Sequence, residues 1–350
     1  MDKVHVLIAI PSLKKAYLEK IAAVDPRVEV TYATEELLAE LGMTNFPALP
    51  AGYPAEPQLT PEEAARRLDR ILAHTEVIFS MRLPRNLLSR APHLRWVQTI
   101  GAGVDHLARD PSIFNSDIMI TNASGINSTS VAEYAIYLML MLAKKAPGLF
   151  AIRESHHWEH LTTLELEGRT LGIVGLGRIG SKVARLARAF GMRVLATRRS
   201  ATRRQKATGG VDELFPAGEL RQMLRESDFV IVTVPLTPET RGMIGEAELR
   251  SMKPTSYIIN VARGPVVRQD VLLRALREGW IAGAGLDVFE REPLPPESEL
   301  WGLPNVIISP HLAGISEHEA PALADFFCTN LKRFLNGEKL VNLVDKKRGY

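Results

Sequence analysis

The chain has 350 residues, 46% of them apolar and 24% charged, with a net charge of +3. That is enough chain for about two domains, and the composition is that of a soluble globular protein, which excludes a disordered or fibrous one. The charge is too small to point to nucleic acid. A lone cysteine, Cys328, excludes an intrachain disulfide or a cysteine zinc site and leads to the expectation of a reducing, cytoplasmic setting.

The N-terminal run Val4–Ile10 is apolar but short, ends at Pro11 and lacks a small-residue cleavage site, so it reads as a first strand and not a signal peptide. Further strands are expected at Val28–Tyr32, Val77–Phe79, Trp96–Ile100 and Met119–Thr121, with helical patterns between them such as Pro61–Ala73. Residues 42–61 read as a loop because Pro47, Pro50, Pro54, Pro57 and Pro61 crowd them. A long helix is expected from Ser128 to about Lys145, with Ser128 or Ser130 as N-cap. Leu138, Leu140, Met141 and Leu142 make it apolar on most sides, so it belongs in a core or at a subunit interface. The longest apolar stretch, Tyr134–Ala143, falls well short of the ~20 residues that span a bilayer, so no membrane is expected.

A second alternating series follows: Thr170–Gly175, Arg193–Ala196, Phe229–Val234, Ser256–Val261, Gly283–Asp287 and Val306–Ser309. One more helix, Glu317–Leu335, ends the pattern. Strand–helix alternation implies parallel sheets covered by helices. The fold class is therefore α/β, with two doubly wound parallel-sheet domains, the second inserted into or following the first.

The strongest local signal is Leu171-Gly-Ile-Val-Gly175-Leu-Gly177-Arg-Ile-Gly180, between an apolar strand and a helical pattern over Ser181–Phe190. Gly175 permits the tight turn, Gly177 lets the backbone approach a pyrophosphate, and Gly180 allows close helix–strand packing. The helix start offers free N–H groups to the anion. At the end of the next strand, where a carboxylate would bind a ribose hydroxyl, the chain reads Ala196-Thr197-Arg198-Arg199-Ser200. Two guanidiniums and two hydroxyls there suit a ribose 2′-phosphate, which argues for NADP, with NAD as the alternative. Arg203, Arg204 and Lys206 extend the run, and the competing reading is a solvated basic loop.

Three segments then carry ionisable groups to strand ends: Ile259–Gly264 with Arg263, Gly285–Pro293 with Glu292, and Ser309–Gly314 with His311. Ligands of open α/β sheets bind outside the carboxyl ends of the strands. An arginine, a carboxylate and a histidine are therefore expected together. They fit hydride transfer to a 2-keto acid: His311 supplies the proton, Glu292 favours the imidazolium and orients the ring, and Arg263 grips the substrate carboxylate and polarises the carbonyl.

These residues, with Gly101-Ala-Gly-Val-Asp105, Val131-Ala-Glu133, Pro235-Leu-Thr-Pro-Glu-Thr240 and Gly283–Pro293, resemble the D-isomer-specific 2-hydroxyacid dehydrogenases over essentially the whole chain. The resemblance implies His311 as acid/base, Glu292 as its carboxylate and Arg263 as substrate arginine. It places the Ala102 and Gly103 N–H groups at the substrate carboxylate. Cofactor contacts are implied for Gly175, Gly177, Arg178, Ile179, Gly180, Thr197, Arg198, Arg199, Ser200, Val234, Pro235, Thr240, Val261, Ala262, Asp287 (at the carboxamide) and Gly314. It further implies a flavodoxin-like substrate domain, 1–122 with 312–350, a Rossmann domain over 123–311 inserted into it, and a homodimer built on the helix near 128–145.

The Thr197–Ser200 stretch resembles the NADP-using glyoxylate and hydroxypyruvate reductases of the family, which makes those acids the expected substrates. The alternatives are formate, phosphite, D-lactate or 3-phosphoglycerate oxidation, or a dinucleotide-sensing corepressor of the same fold. Asn127 resembles a formate contact, Arg82 a second substrate cation, and Trp158 a residue that reaches the partner subunit. All three roles stay open. His156, His157 and His160 suggest a metal cluster, but no motif places another ligand, so none is expected.

Overall fold

The computed structural model describes residues 3–11, 13–43, 59–109, 111–207 and 209–349. Most of the proline-rich loop expected over 42–61, residues 44–58, lies outside them. The chain divides into two compact units, residues 1–126 with 317–350, and residues 127–316. Both crossings fall a few residues beyond the boundaries expected from the sequence.

The first unit carries strands β1 (Val4–Ala9), β2 (Val28–Tyr32), β3 (Val77–Ser80), β4 (Trp96–Thr99) and β5 (Met119–Thr121). They pair in parallel in the order β2-β1-β3-β4-β5, the flavodoxin-like order. β3 and β4 are buried throughout, as expected of strands with helices on both faces. The helix Pro61–Leu72 starts on a capping box, Thr60 with Glu63. The C-terminal helix Glu319–Leu335 closes the unit by aromatic stacking: Phe327 lies 4.3 Å from Phe79 and 5.2 Å from Trp96, centroid to centroid. Its Asn330 donates to Gln98 Oε1 at 3.2 Å. Cys328 is a buried member of this core.

The second unit carries β6 (Thr170–Val174), β7 (Arg193–Arg198), β8 (Gln205–Lys206), β9 (Glu213–Pro216), β10 (Phe229–Val232), β11 (Tyr257–Asn260), β12 (Gly283–Leu286) and β13 (Val306–Ile308). Their order is β13-β12-β11-β10-β6-β7-β9-β8, all parallel except the edge pair β8–β9. The order reverses direction between β6 and β10, the switch point at which dinucleotides bind in doubly wound folds.

Two differences from the sequence reading matter. β8 and β9 were not expected, and β9 takes the place beside β7. The long helix spans Ser128–Ala143 with Asn127 at its cap position and no side-chain cap bond, so neither serine caps it. Ser130 instead donates to the Ala313 carbonyl at 2.9 Å. The helix packs on one face of the sheet with the helix Arg178–Ala189, while Leu220–Glu226 and Gln269–Arg277 cover the other. Among the described residues no single helix is long and apolar enough to cross a membrane.

Candidate active site

The glycine turn after β6 is built as its spacing demands. Gly175 has φ +102°, and a Cβ on it would lie 2.6 Å from Val234 Cγ1, so β6 and β10 meet here across a residue that must be glycine. A Cβ on Gly180 would lie 2.4 Å from the Gly175 carbonyl oxygen. At Gly177 the same test meets nothing within 4 Å. Gly177 is exposed and caps the helix Arg178–Ala189 without a side-chain bond, leaving open room beside a helix start. That fits a pyrophosphate. Arg178 is exposed beside Gly177, whereas Ile179 packs against the core.

The strand-end residues that follow divide sharply. The Thr197 side chain is turned inward: its hydroxyl accepts from the Gly175 N–H at 3.1 Å. It therefore braces the glycine turn. Arg198, Arg199 and Ser200 are exposed. Arg204 is exposed too, but it pairs with Glu213 at 2.6 Å and lies over the Phe215 ring. The Thr240 hydroxyl is also spent internally, donating to the Pro235 carbonyl at 2.6 Å and accepting from the Thr237 N–H. Pro235 itself is exposed. Val261 and Ala262 are buried.

The catalytic candidates converge. His311 Nδ1 lies 2.7 Å from Glu292 Oε2, with the two side chains 49% and 35% exposed. Glu292 Oε1 accepts from the Phe289 N–H at 2.9 Å. Burial pushes the Glu292 carboxyl up, but the bond and charge of His311, the Phe289 N–H and the Arg263 charge outweigh it and hold it below its ordinary value. A carboxylate held below its unfolded value stabilises the fold above that value, and the gain is lost as pH falls through the folded one. The melting-temperature difference between wild type and Glu292→Gln is therefore expected to shrink as pH is lowered past 4.5, the ordinary value. Thermal melts across pH 3–7 check this (roughly the range in which carboxyls titrate).

Arg263 reaches this pair through its loop. Asn260, buried at the end of β11, accepts from the Ala262 N–H at 3.1 Å and donates to the Arg263 carbonyl at 3.0 Å. Gly264 then lies directly on the backbone of Phe289 and Glu290. The arginine loop and the Glu292 segment are thus fixed against each other. The Arg263 guanidinium donates to the Ala262 carbonyl at 2.7 Å.

Asp287 is buried, 1% exposed. Its carboxylate accepts from the Ser309 hydroxyl at 2.7 Å, the Leu312 N–H at 2.8 Å and the Ala313 N–H at 3.0 Å. The carboxamide contact implied by the resemblance thus meets a carboxylate already committed to the 309–313 turn. Gly314 packs on Asn127, whose Nδ2 would lie 2.6 Å from an added Cβ. The sequence reading assigned no task to Ser309, Ser130 or Asn260, although the first and last stand inside its motifs. Their polarity at strand ends was the available signal.

Ala102 and Gly103 lie in the other unit, after β4, and their N–H groups have no hydrogen-bond acceptor among the described residues. Arg82 is half-buried there. Trp158 is 88% exposed. His156, His157 and His160 are exposed, and His156 (φ +51°) closes the helix Ala146–Ser155.

A family model described as D-isomer specific 2-hydroxyacid dehydrogenase, NAD binding domain, matches residues 136–313. A glyoxylate reductase of Thermococcus gammatolerans is 36% identical over 334 residues, 92% of this chain and 96% of that protein. One from Korarchaeum cryptofilum is 41% identical over 73% of this chain and 78% of its own. Two crystal structures superpose with a TM-score of 0.77: a D-isomer specific 2-hydroxyacid dehydrogenase of Xanthobacter autotrophicus in complex with NADPH and MES (30% identity, 100% of both chains) and an NADPH-dependent glyoxylate/hydroxypyruvate reductase of Sinorhizobium meliloti in complex with NADP and sulfate (29% identity, 99% and 100%). With the glycine turn, the arginine loop and the paired carboxylate and imidazole in place, the chain belongs to the D-isomer-specific 2-hydroxyacid dehydrogenases.

Proposed function

We propose that the protein reduces a small 2-keto acid, glyoxylate to achiral glycolate or hydroxypyruvate to D-glycerate, with NADPH as the preferred cofactor and NADH as the alternative. The observation that carries the reading is the 2.7 Å His311–Glu292 pair fixed against the Arg263 loop. The glyoxylate reductase relatives and the NADP-bound neighbours support it, and nothing comparable favours a dinucleotide sensor.

The nicotinamide, when bound, supplies the hydride. Everything else falls to the chain. Gly177 and the N–H groups that begin the next helix would hold the pyrophosphate, and Arg198 and Arg199 would bind the ribose 2′-phosphate. His311 gives Nδ1–H to Glu292, which leaves Nε2–H for the substrate carbonyl oxygen, so the proton donor is the imidazolium. Glu292 stays ionised as the donor's counter-charge. Arg263 binds the substrate carboxylate and polarises the carbonyl as negative charge develops on its oxygen. After the transfer His311 remains as the Nδ1–H tautomer. Its half-exposed ring takes the next proton from solvent.

The test is cofactor consumption with glyoxylate, hydroxypyruvate, pyruvate and phenylpyruvate, comparing NADPH with NADH. Rapid NADPH use with one of the first two is expected, and no turnover with any acid would overturn the reading. Arg198→Ala is expected to raise the KM for NADPH about 10- to 100-fold, the worth of one charged hydrogen bond, and to leave that for NADH nearly unchanged. Parallel titrations of both cofactors check it.

A homodimer in the cytoplasm completes the proposal. Tyr137, Leu149, Phe150 and Trp158 are large exposed apolar side chains of the second unit, and surfaces of this kind mark interfaces. Light scattering on the purified protein is expected to give twice the chain mass, and Phe150→Asp to lower it.

A further inference from the structure

Resting on that reading of His311, we propose that Asp287 is a positioning residue: its buried carboxylate shapes the turn that delivers the imidazole to Glu292. His311 sits at φ +55°. A left-handed backbone is unfavourable for a residue with a Cβ and persists only where the surroundings over-determine it. Here Asp287 supplies most of the backbone bonds of the turn. Pro310 has no N–H. The three N–H groups that follow it all reach Asp287: His311 its carbonyl at 2.9 Å, shared with the Ser309 carbonyl at 3.1 Å, Leu312 its Oδ1 at 2.8 Å and Ala313 its Oδ2 at 3.0 Å. The Ser309 hydroxyl adds a fourth donor at 2.7 Å. Asp287 is itself fixed at the end of β12 by its N–H to the Asn260 carbonyl at 3.0 Å, and Asn260 also holds the Arg263 loop. One buried residue thus sets histidine and arginine in a common frame. The charged or titratable groups around the turn are Glu292 and Arg263 beside the imidazole and Tyr134 beside Ser309 and Asp287.

Asparagine at 287 is not an equivalent. Whichever way the amide turns, its NH2 faces the N–H of Leu312 or of Ala313, two donors with no acceptor between them. The turn must open, and His311 loses its alignment with Glu292. Ser309→Ala removes one donor and leaves the carboxylate intact, so it makes the milder test.

The experiment pairs kinetics with the ring nitrogen resonances of His311 in the full-length protein, assigned by their loss in His311→Gln. In wild type at alkaline pH the neutral ring is expected as the Nδ1–H tautomer held by Glu292. In Asp287→Asn it is expected to revert towards Nε2–H, with kcat down about 100-fold, as for a misplaced reacting group, and the cofactor dissociation constant within about threefold. Ser309→Ala is expected to move tautomer and kcat in the same direction by less. A weakened cofactor with tautomer and kcat unchanged would overturn the proposal and make Asp287 a ligand contact. Should Asp287→Asn fail to fold, an unaltered tautomer in Ser309→Ala overturns it equally. The tautomer readout needs no turnover, so a protein inactive on keto acids whose tautomer still follows Asp287 would end the reductase reading and keep this one.

Discussion

His311→Ala is expected to lower kcat by roughly 10²–10⁴-fold, the usual contribution of a positioned general acid, while NADPH binds as tightly as before. The separation of effects follows from the geometry. The ring is tied to Glu292 at the ends of β12 and β13, whereas the proposed pyrophosphate seat is the glycine turn after β6. Glu292 is left half-exposed without its partner, so hydration limits the damage to the fold. Steady-state rates with a fluorescence titration of the cofactor read both quantities. Full turnover in the variant, or loss of cofactor binding with it, would show that His311 does not donate the proton.

Gly264→Ala is expected to do comparable harm by a different route. A Cβ there would lie 1.9 Å from the Phe289 carbonyl carbon, 2.0 Å from its oxygen and 2.4 Å from the Glu290 N. These are backbone atoms, so no side chain can swing aside to make room. The Arg263 loop and the 289–292 segment must part, which separates the arginine from the His311–Glu292 pair. Overpacking of this kind costs about 1–3 kcal/mol of stability, and a displacement near 1 Å at reacting groups costs about 100-fold in rate. A melt and a kcat measurement on the same sample check both. A variant with native kcat would mean that the packing of these two loops is not what aligns the site.

Much of this was legible before any coordinates. Buried parallel strands read as continuous apolar runs, so β1, β6, β10 and β11 stood out from their valines and isoleucines alone. The Gly175–Gly180 spacing announced the turn because each glycine answers a separate steric demand, two of which the structure shows as clashes a Cβ would make. β9 escaped notice because Glu213-Leu-Phe-Pro216 is four residues long and ends in proline, and its partner β8 has only two. The helix Ala146–Ser155 was hidden by Pro147 and Gly148, although proline is well tolerated in a first turn. At the site, residue types could be read but not their commitments. Thr197, Thr240 and Asp287 look like ligand contacts in a motif, and the structure adds bonds within their own unit: Thr197 to the Gly175 N–H, Thr240 to the Pro235 carbonyl, Asp287 to the Ser309 hydroxyl and the Leu312 and Ala313 N–H groups. The Thr197 bond to Gly175 and the Asp287 bond to Leu312 join residues 22 and 25 positions apart, distances at which periodicity carries no information.

The central claim is a reduction at C2 of a 2-keto acid that yields one hand of product. The most direct measurement is therefore to supply hydroxypyruvate with limiting NADPH and resolve the glycerate formed by chiral chromatography. The account predicts D-glycerate equal in amount to the NADPH consumed, and none from His311→Ala. L-glycerate, or NADPH consumed without glycerate, would contradict it.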